Sequence, residues 1–373
     1  MSAIPRHLST SNNARIRVYG SKISYFTGKL EAYLRYKEIP YEFVSMTARS
    51  MNGKIRRHTG AAQMPAIEFL DGRWGTDTTP LIAWFEQERP EPAVIPSDPL
   101  QDFICRLVED YADEWLWRPA LYYRWDFKLD AEMMSRRIVD ELTRDIPAPA
   151  PLKRLLIRMR QRRLNTRGDG VSRETKAHVE ETYLRALDQL QAIFETRPFL
   201  LGGRPTVADF GYFASMFRHF GIDPTPAAIM RDRAPAVYTW LARLWDARAS
   251  QIHGALLAGI PRDWSPILRE IGTAYLPYLC ANADAWQAGK KRFDLEIQGT
   301  RYRGFRVFHY RVWCLEQLRN RLDALPEPAA SEVRSLLETH DCWAPLMRQP
   351  RVASGYDPEN RAPFGVGLGL FDR

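Results

Sequence analysis

The segment "YGSKISYFTGKLEAYLRYKEIPYEFV" (19–44) places four hydroxyl side chains at the start of a helical pattern. They belong to Ser21, Ser24, Tyr25 and Thr27. A hydroxyl donor beside a helix N-terminus can stabilise an anion, because the helix dipole is positive at that end. The segment contains no cysteine, so any thiol chemistry here needs a sulfur from outside the loop.

Two further motifs offer groups for a charged ligand. "QMP" contains an X-Pro bond between Met64 and Pro65, and such bonds can be cis at modest cost. "DTTP" opens a predicted helix at Asp77 and Thr78, with Pro80 where its missing N–H does no harm. The unpaired N–H groups at such a start favour a bound carboxylate. Each motif also has a purely structural interpretation. Pro65 can simply end a strand, and Asp77 or Thr78 can be an ordinary helix cap.

Cysteine and histidine spacing argues against a metal site and a redox pair. The four cysteines, at 105, 280, 314 and 342, form no CxxC pair. The seven histidines show no HExxH spacing. We therefore expect reduced thiols and no metal.

The chain has 373 residues, 45% hydrophobic and 26% charged, which is typical of a globular protein of two or three domains. It has no apolar run of about 18 residues, so we expect a soluble, cytoplasmic protein. The net charge is +8, and residues 153–167 hold seven cations and no acid. Such a run can contact nucleic acid or a membrane surface. Because it lacks interleaved aromatic residues, we favour a solvated helix face or a mobile loop.

The order of predicted elements divides the chain into five parts. After a polar tail (1–14), residues 15–88 alternate strands and helices around one irregular loop, which predicts an α/β layer. Residues 89–99 contain four prolines and form a predicted linker. Residues 100–250 are predicted to be helical, with the basic stretch as an irregular excursion. Residues 251–373 form a mainly helical extension with a possible β-hairpin.

Two helical patterns in these parts predict packing rather than chemistry. Thr206 and Asp209 have the spacing of a capping box, so Asp209 is expected to serve folding. In the extension, one predicted helix has a single apolar stripe, which comprises Val307, Tyr310, Cys314 and Leu318.

The order of these parts resembles the glutathione transferase superfamily, which has a thioredoxin-like domain, a proline-rich linker and an all-helical domain. "YKEIPYEFV" is similar to the end of the family's first helix and its second strand. "GAAQMPAIEFLDG" resembles its Gln-Val-Pro segment, with Met64 in place of valine. "TDTTPLIAWFEQERP" and "RPFLLGGRPTVADFGYF" resemble two of its helix starts. The resemblance covers about residues 15–250 and leaves the extension unassigned.

The resemblance implies a glutathione site on these motifs. It implies that Met64–Pro65 is cis and that the Met64 backbone pairs with the cysteinyl part of glutathione like an added strand. Thr78 would hold the γ-glutamyl carboxylate, and Asp77 would pair with the ammonium group. Gln63 would contact the peptide from the side. Lys54, Arg57 and His58 are possible anchors for the glycine carboxylate.

The resemblance also implies that a loop hydroxyl activates the glutathione thiol, as in serine/tyrosine-type rather than cysteine-type members. Alignment places Ser24 at the activating position, with Tyr25 as its rival, and Ser21 and Thr27 remain open alternatives.

An electrophile would lie against the first long helix. Four side chains there either line an aromatic pocket for the electrophile or pack in the core. They are Tyr111, Trp115, Arg118 and Tyr122.

These features predict a glutathione-dependent transferase that attacks a small hydrophobic electrophile. Conjugation, dehalogenation, ether cleavage and isomerisation all begin this way, and the sequence does not separate them. The competing hypothesis is a non-catalytic binding or assembly module of the same fold, which the basic stretch and the extension favour. The family resemblance implies a homodimer.

Overall fold

A four-stranded mixed sheet forms the centre of the first domain in the computed structural model, which describes residues 15–365. The predicted tail 1–14 lies outside the described residues. The strands are β1 (Ile16–Gly20), β2 (Tyr41–Ser45), β3 (Ala66–Glu68) and β4 (Trp74–Thr76). Their order is β2-β1-β3-β4, with β1 parallel to β2 and the other pairs antiparallel.

Four helices belong to this domain: α1 (Tyr25–Tyr36), α2 (Ala48–Ser50), α3 (Arg56–Thr59) and α4 (Thr78–Glu88). Helix α1 connects the parallel strands β1 and β2, as a parallel pair requires. Val18 and Ile67 of the sheet and Leu30 of α1 are fully buried in one apolar cluster. Burial of each such side chain contributes about 1.5–3 kcal/mol. The predicted thioredoxin-like α/β domain is confirmed.

The segment between β2 and β3 differs from the prediction of an irregular loop. Thr47 and Ser50 form a capping box, which starts α2. A π-helical turn (Met51–Ile55) and α3 follow. The local hydrogen bonds of two small hydroxyl residues therefore outweigh the lack of a clear apolar period.

The helical domain follows a proline-rich connection, as predicted. Its helices are α5 (Pro99–Glu114), α6 (Trp117–Asp126), α7 (Lys128–Leu142), α8 (Ala150–Gln161), α9 (Lys176–Phe194), α10 (Val207–Ser215), α11 (Pro224–Arg233) and α12 (Pro235–Asp246). The predicted capping box of Thr206 and Asp209 opens α10. The basic stretch is helical, because α8 continues into a π-helical turn (Arg162–Thr166), so the predicted irregular excursion is wrong.

As far as residue 365, the extension contains five α-helices and one hairpin. They are α13 (Ser265–Glu270), α14 (Leu276–Gln287), β5 (Arg292–Ile297), β6 (Thr300–Arg306), α15 (His309–Asp323), α16 (Ala329–Thr339) and α17 (Trp343–Met347). The predicted hairpin is confirmed, with Gln298 and Gly299 at positive φ in its turn, as tight hairpin turns require. Cys314 is buried, as its place on the apolar stripe predicts.

The extension packs against the helical domain through apolar and ionic contacts. A single apolar cluster includes residues of α5, α10, α14 and α15. Arg311 of α15 bonds Glu114 of α5 at 3.0 Å and Asp169 at 2.9 Å. The boundaries near 88, 99 and 250 stay predictions. Within residues 15–365, none of the helices has the length and apolar character needed to cross a membrane.

Candidate ligand-binding site

A cavity of about 70 Å³ lies where the first domain, helix α5 and the extension meet. It is lined by Phe26, Gln63, Met64, Pro65, Asp77, Thr78, Glu114, Tyr310 and Tyr356. The structure thus brings together all five residues that were predicted to hold the glutathione peptide. The remaining four lining residues were not predicted as ligand contacts.

One wall of the cavity is the segment before β3. The Met64–Pro65 peptide is cis, as expected. Among residues 15–365, the Met64 N–H and C=O have no hydrogen-bonding partner in the protein. The Thr76 hydroxyl donates to the Pro65 C=O at 2.8 Å, and the Gln63 amide donates to that hydroxyl at 3.2 Å. These bonds hold the segment in place and leave the Met64 backbone available to a ligand.

The second wall is the N-terminus of α4. Asp77 precedes the helix with φ +72°, a conformation that non-glycine residues rarely adopt, and its side chain does not cap the helix. Such strained residues often lie at functional sites. Thr78 begins the helix, where N–H groups have no intrahelical partner. An acceptor carboxylate beside these donors suits a ligand with adjacent ammonium and carboxylate groups.

The Asp77 carboxylate is poorly solvated. Burial raises its pKa to about 6, although a hydrogen bond from Tyr310 and the charge of Lys29 act in the opposite direction. The Tyr310 hydroxyl donates to one carboxylate oxygen at 3.2 Å, and the Tyr356 hydroxyl donates to the other at 3.3 Å. Both bonds lie at the long end for O–H donors. The two tyrosines are therefore weak partners for this buried carboxylate, which the Thr79 N–H also stabilises.

The extension forms the cover of the cavity. The rings of Tyr310, Trp313 and Tyr356 contact one another with centroids 5.0–5.4 Å apart. Beyond them the chain follows the sheet edge, where the Thr76 N–H donates to the Pro363 C=O at 3.0 Å. The sheet edge beside the cavity is thus occupied by the protein's own C-terminal segment.

A second carboxylate lies on the helical-domain side of the cavity. Burial raises the pKa of Glu114, and the ion pair with Arg311 opposes that rise. The cavity thus has two acidic walls, and Arg311 is engaged with Glu114 and Asp169. This arrangement favours the positive end of a ligand.

The four loop hydroxyls do not line the cavity. Ser24 is the N-cap of α1 and accepts a long 3.4 Å bond from the Thr27 N–H. The Tyr25 hydroxyl donates to the Ala112 C=O at 2.6 Å, and burial raises its pKa well above 10. Ser21 donates to Glu141 at 2.8 Å, and the Thr27 side chain packs against Gly20. Phe26 is the loop residue that reaches the cavity.

The predicted aromatic pocket also lies apart from the cavity, because the extension covers that face of α5. Tyr111 and Trp115 contact Tyr275, which ends the π-helical turn (Ile271–Tyr275) before α14. The Arg118 side chain donates to the Asp169 C=O at 2.8 Å. Tyr122 donates to Glu180 at 2.5 Å. All four predicted residues are buried, so the structure supports the packing interpretation over an open pocket.

Most of the additional lining residues could not be recognised from the sequence. Tyr310 and Tyr356 lie 233 and 279 residues from Asp77 along the chain. Glu114 is paired with Arg311 of the extension, which lies 197 residues further along the chain. Lys54 and His58, the possible carboxylate anchors, contact Trp74 instead of the cavity. In residues 15–365, no cluster of side chains is arranged to bind a metal ion.

Comparison with known families gives two matches. The model of the glutathione S-transferase N-terminal domain matches residues 18–93, and that of the C-terminal domain matches residues 173–243. Neither match reaches the extension. No curated protein matches the chain.

Several solved structures are similar at low identity. A glutathione S-transferase from Methylobacterium radiotolerans in complex with glutathione sulfonate is 18% identical, with a TM-score of 0.39, over 62% of this chain and 90% of that chain. The β-etherase LigF from Sphingobium is 18% identical, with a TM-score of 0.46, over 64% and 98%. FzlA from C. crescentus is 17% identical, with a TM-score of 0.42, over 62% and 88%.

Proposed function

Because this chain belongs to the glutathione transferase superfamily, we propose that it is a glutathione-dependent transferase with its site in the cavity beside Met64 and Pro65. A bound glutathione thiolate attacks a small hydrophobic electrophile. The observation that supports this most directly is the convergence of the Met64 backbone and the Asp77–Thr78 helix start on one cavity.

Each part of the tripeptide has a chemical counterpart at the site. The γ-glutamyl ammonium pairs with the Asp77 carboxylate, and its carboxylate binds at the N-terminus of α4, on Thr78. The cysteinyl backbone pairs with the N–H and C=O of Met64, as an added strand does. Gln63 contacts the peptide from the side. This placement points the thiol toward Phe26 and the start of α1.

Glutathione has to displace part of the cover. The cavity of about 70 Å³ is smaller than the roughly 300–1,000 Å³ that is usual for ligand pockets. Tyr310 and Tyr356 occupy both oxygens of Asp77, where the ammonium group would bind. An ammonium forms a stronger, charge-assisted bond to a carboxylate than a neutral hydroxyl does. We expect the ligand to replace at least one tyrosine on Asp77.

Ser24 is our proposed activator of the thiol. Its hydroxyl accepts only a long bond from the Thr27 N–H, so its own proton is available to a thiolate at the N-terminus of α1. The hydroxyl of the rival, Tyr25, is already donated to a backbone carbonyl. An ordinary thiol has a pKa of about 8.5, and lowering it by about 2 units requires about 2.7 kcal/mol.

The reaction forms a bond between the glutathione sulfur and an electrophilic carbon. In conjugation with displacement, dehalogenation and ether cleavage, the leaving group departs with the bonding electron pair. In isomerisation the thiolate is released again at the end. All four reactions begin with the same attack by the thiolate, so we propose the class and not the subtype. The proposal also includes a cytoplasmic location and a homodimer. Sedimentation of the purified protein tests the homodimer.

Calorimetric titration with glutathione tests the binding step. We expect wild type to bind and Asp77→Ala to bind at least tenfold more weakly, because an ion pair is removed. Asp71→Ala, an exposed carboxylate on the β3–β4 turn, is the matched control and should bind like wild type. If wild type shows no heat of binding at millimolar glutathione, the proposal is wrong.

A second function, a binding or assembly module without catalysis, is favoured by one observation: no loop hydroxyl lines the cavity. The absorbance of the bound thiolate as a function of pH separates the two functions. A bound thiol that titrates near pH 8.5 in wild type favours the module. A thiol that titrates near pH 6.5, and shifts back in Ser24→Ala but not in Tyr25→Phe, favours the transferase.

A further inference from the structure

Helix α8 turns its apolar stripe toward solvent. The exposed fractions are 48% for Leu152, 47% for Leu155, 55% for Leu156 and 60% for Met159. The spacing i, i+3, i+4, i+7 puts these side chains on one face of the helix. In the described part of the chain, four of the ten exposed large hydrophobic residues lie in this stretch of eight residues. Such a concentration usually marks an interaction surface.

The orientation of α8 is fixed by contacts on its other side. Ile157 packs against the apolar cluster that contains Leu121 and Trp125. The Lys153 ammonium donates to the Thr143 C=O at 2.9 Å, and the Arg162 side chain donates to the Trp125 C=O at 2.7 Å. Long polar side chains therefore anchor the helix to the protein, and its leucines face outward.

Cations lie on both sides of the stripe. At 100° per residue, Arg160 flanks one edge and Arg158 the other, and Arg163 continues the surface into the π-helical turn. Residues 153–167 contain seven cations and no acid. The surface therefore combines apolar side chains with a strong positive charge.

We propose that α8 binds an anionic membrane surface, with the apolar stripe among the lipid headgroups and the flanking arginines on the phosphates. Helices of this composition lie in the interface plane. A second copy of this chain is a poorer partner, because it would bring two cationic helices together. An acidic partner helix is also less suitable. An amphipathic helix binds in a groove on the protein that receives it, whereas this stripe is a convex ridge on one helix.

Sedimentation with lipid vesicles tests the proposal. We expect the full chain to bind vesicles of phosphatidylcholine with about one-quarter phosphatidylglycerol, and to release them as salt increases. Vesicles of pure phosphatidylcholine should bind at least tenfold more weakly. Arg158→Gln with Arg160→Gln should weaken binding by about fivefold for each lost charge.

The apolar part is tested with Leu155→Ser and Met159→Ser together. These side chains are exposed, so the pair should leave the fold and glutathione binding unchanged while vesicle binding falls at least tenfold. Leu257→Ser, another exposed leucine (43%), is the control and should bind vesicles like wild type. Three results would overturn the proposal. These are no vesicle binding by wild type, a dimer that the double serine variant dissociates, and binding of an acidic amphipathic peptide in preference to the vesicles.

Discussion

Replacing Asp77 by asparagine should stabilise the folded protein at neutral pH and weaken glutathione binding at the same time. The carboxylate is held in a poorly solvated position at the start of α4, where burial raises its pKa to about 6 from an ordinary value of 3.8. The folded protein therefore binds a proton at Asp77 more tightly than the unfolded chain does. Asparagine has nearly the same shape, can still accept a hydrogen bond from Tyr310, and has no charge to desolvate.

The magnitude follows from the pKa difference. A group with a raised folded-state pKa contributes stability at low pH, and this contribution is lost as pH rises through the folded pKa. A difference of about 2 units at about 1.4 kcal/mol each means that the ionised carboxylate costs the fold about 3 kcal/mol at pH 8. About half of that cost, roughly 1.4 kcal/mol, appears between pH 5 and pH 8. Asp77→Asn should lack this part of the pH dependence.

Urea unfolding of wild type and Asp77→Asn at pH 5 and pH 8 measures the stability effect. The free energy of unfolding of the variant should exceed that of wild type by more at pH 8 than at pH 5. Asp71→Asn, on an exposed turn, should stay within about 0.5 kcal/mol of wild type at both values.

The binding half of the same prediction uses calorimetry. Glutathione affinity of wild type should fall about tenfold from pH 7 to pH 5, because about 90% of Asp77 is protonated one unit below its pKa. Asp77→Asn should bind weakly at both pH values. If the variant is less stable than wild type at pH 8 and binds glutathione equally well, Asp77 is a structural residue and our reasoning about the site is refuted.

Three further predictions follow from other contacts. Ser24→Ala should raise the pKa of the bound thiol by about 2 units, as ultraviolet absorbance of the thiolate would show, and an unchanged titration would exclude Ser24 as the activator. Tyr310→Phe with Tyr356→Phe should tighten glutathione binding about tenfold or more, as calorimetry would show, because two hydroxyls no longer compete with the ammonium group for Asp77. Weaker binding would mean that the hydroxyls hold the ligand. Arg311→Met should lower the free energy of unfolding by about 3–5 kcal/mol, because two carboxylates lose a buried partner. Arg334→Met, an exposed arginine, is its control in urea unfolding and should change stability by less than about 0.5 kcal/mol.

Local motifs predicted the first domain well, and the five residues that they singled out for ligand binding line one cavity. Gln63 to Pro65 and Asp77–Thr78 are set by the backbone near them: a proline directly before strand β3 and a proline-containing helix start. Their effects extend over only a few residues, so a sequence pattern is enough to place them. The capping box of Thr206 and Asp209 is the same kind of signal, and the structure confirms it.

Features that depend on distant packing were not predictable in this way. The aromatic stripe on α5 has the composition of a ligand pocket, and whether Tyr111 and Trp115 face a ligand or a helix depends on where α14 lies. The basic stretch was equally ambiguous: its charge indicated an exposed segment, but not that α8 would expose an apolar stripe as well, because an apolar stripe alone does not show which face of a helix is buried. Ser24 shows a third limit, since its alignment identifies a position and not the direction of its hydroxyl.

The two tyrosines on Asp77 are held with very different strength, and this determines which part of the cover opens. Tyr310 is adjacent to Arg311, whose ion pairs with Glu114 and Asp169 are buried, so moving α15 would separate charges at a cost of several kcal/mol. Tyr356 lies after α17 in a segment without helix or strand, held near its start by the 2.6 Å bond from Ser354 to Glu316. A hydrogen bond from a hydroxyl to a carboxylate contributes about 1.5–3 kcal/mol, less than breaking the two buried ion pairs of Arg311 costs. Glutathione should therefore displace Tyr356 and its segment while Tyr310 stays in place beside the bound ammonium group.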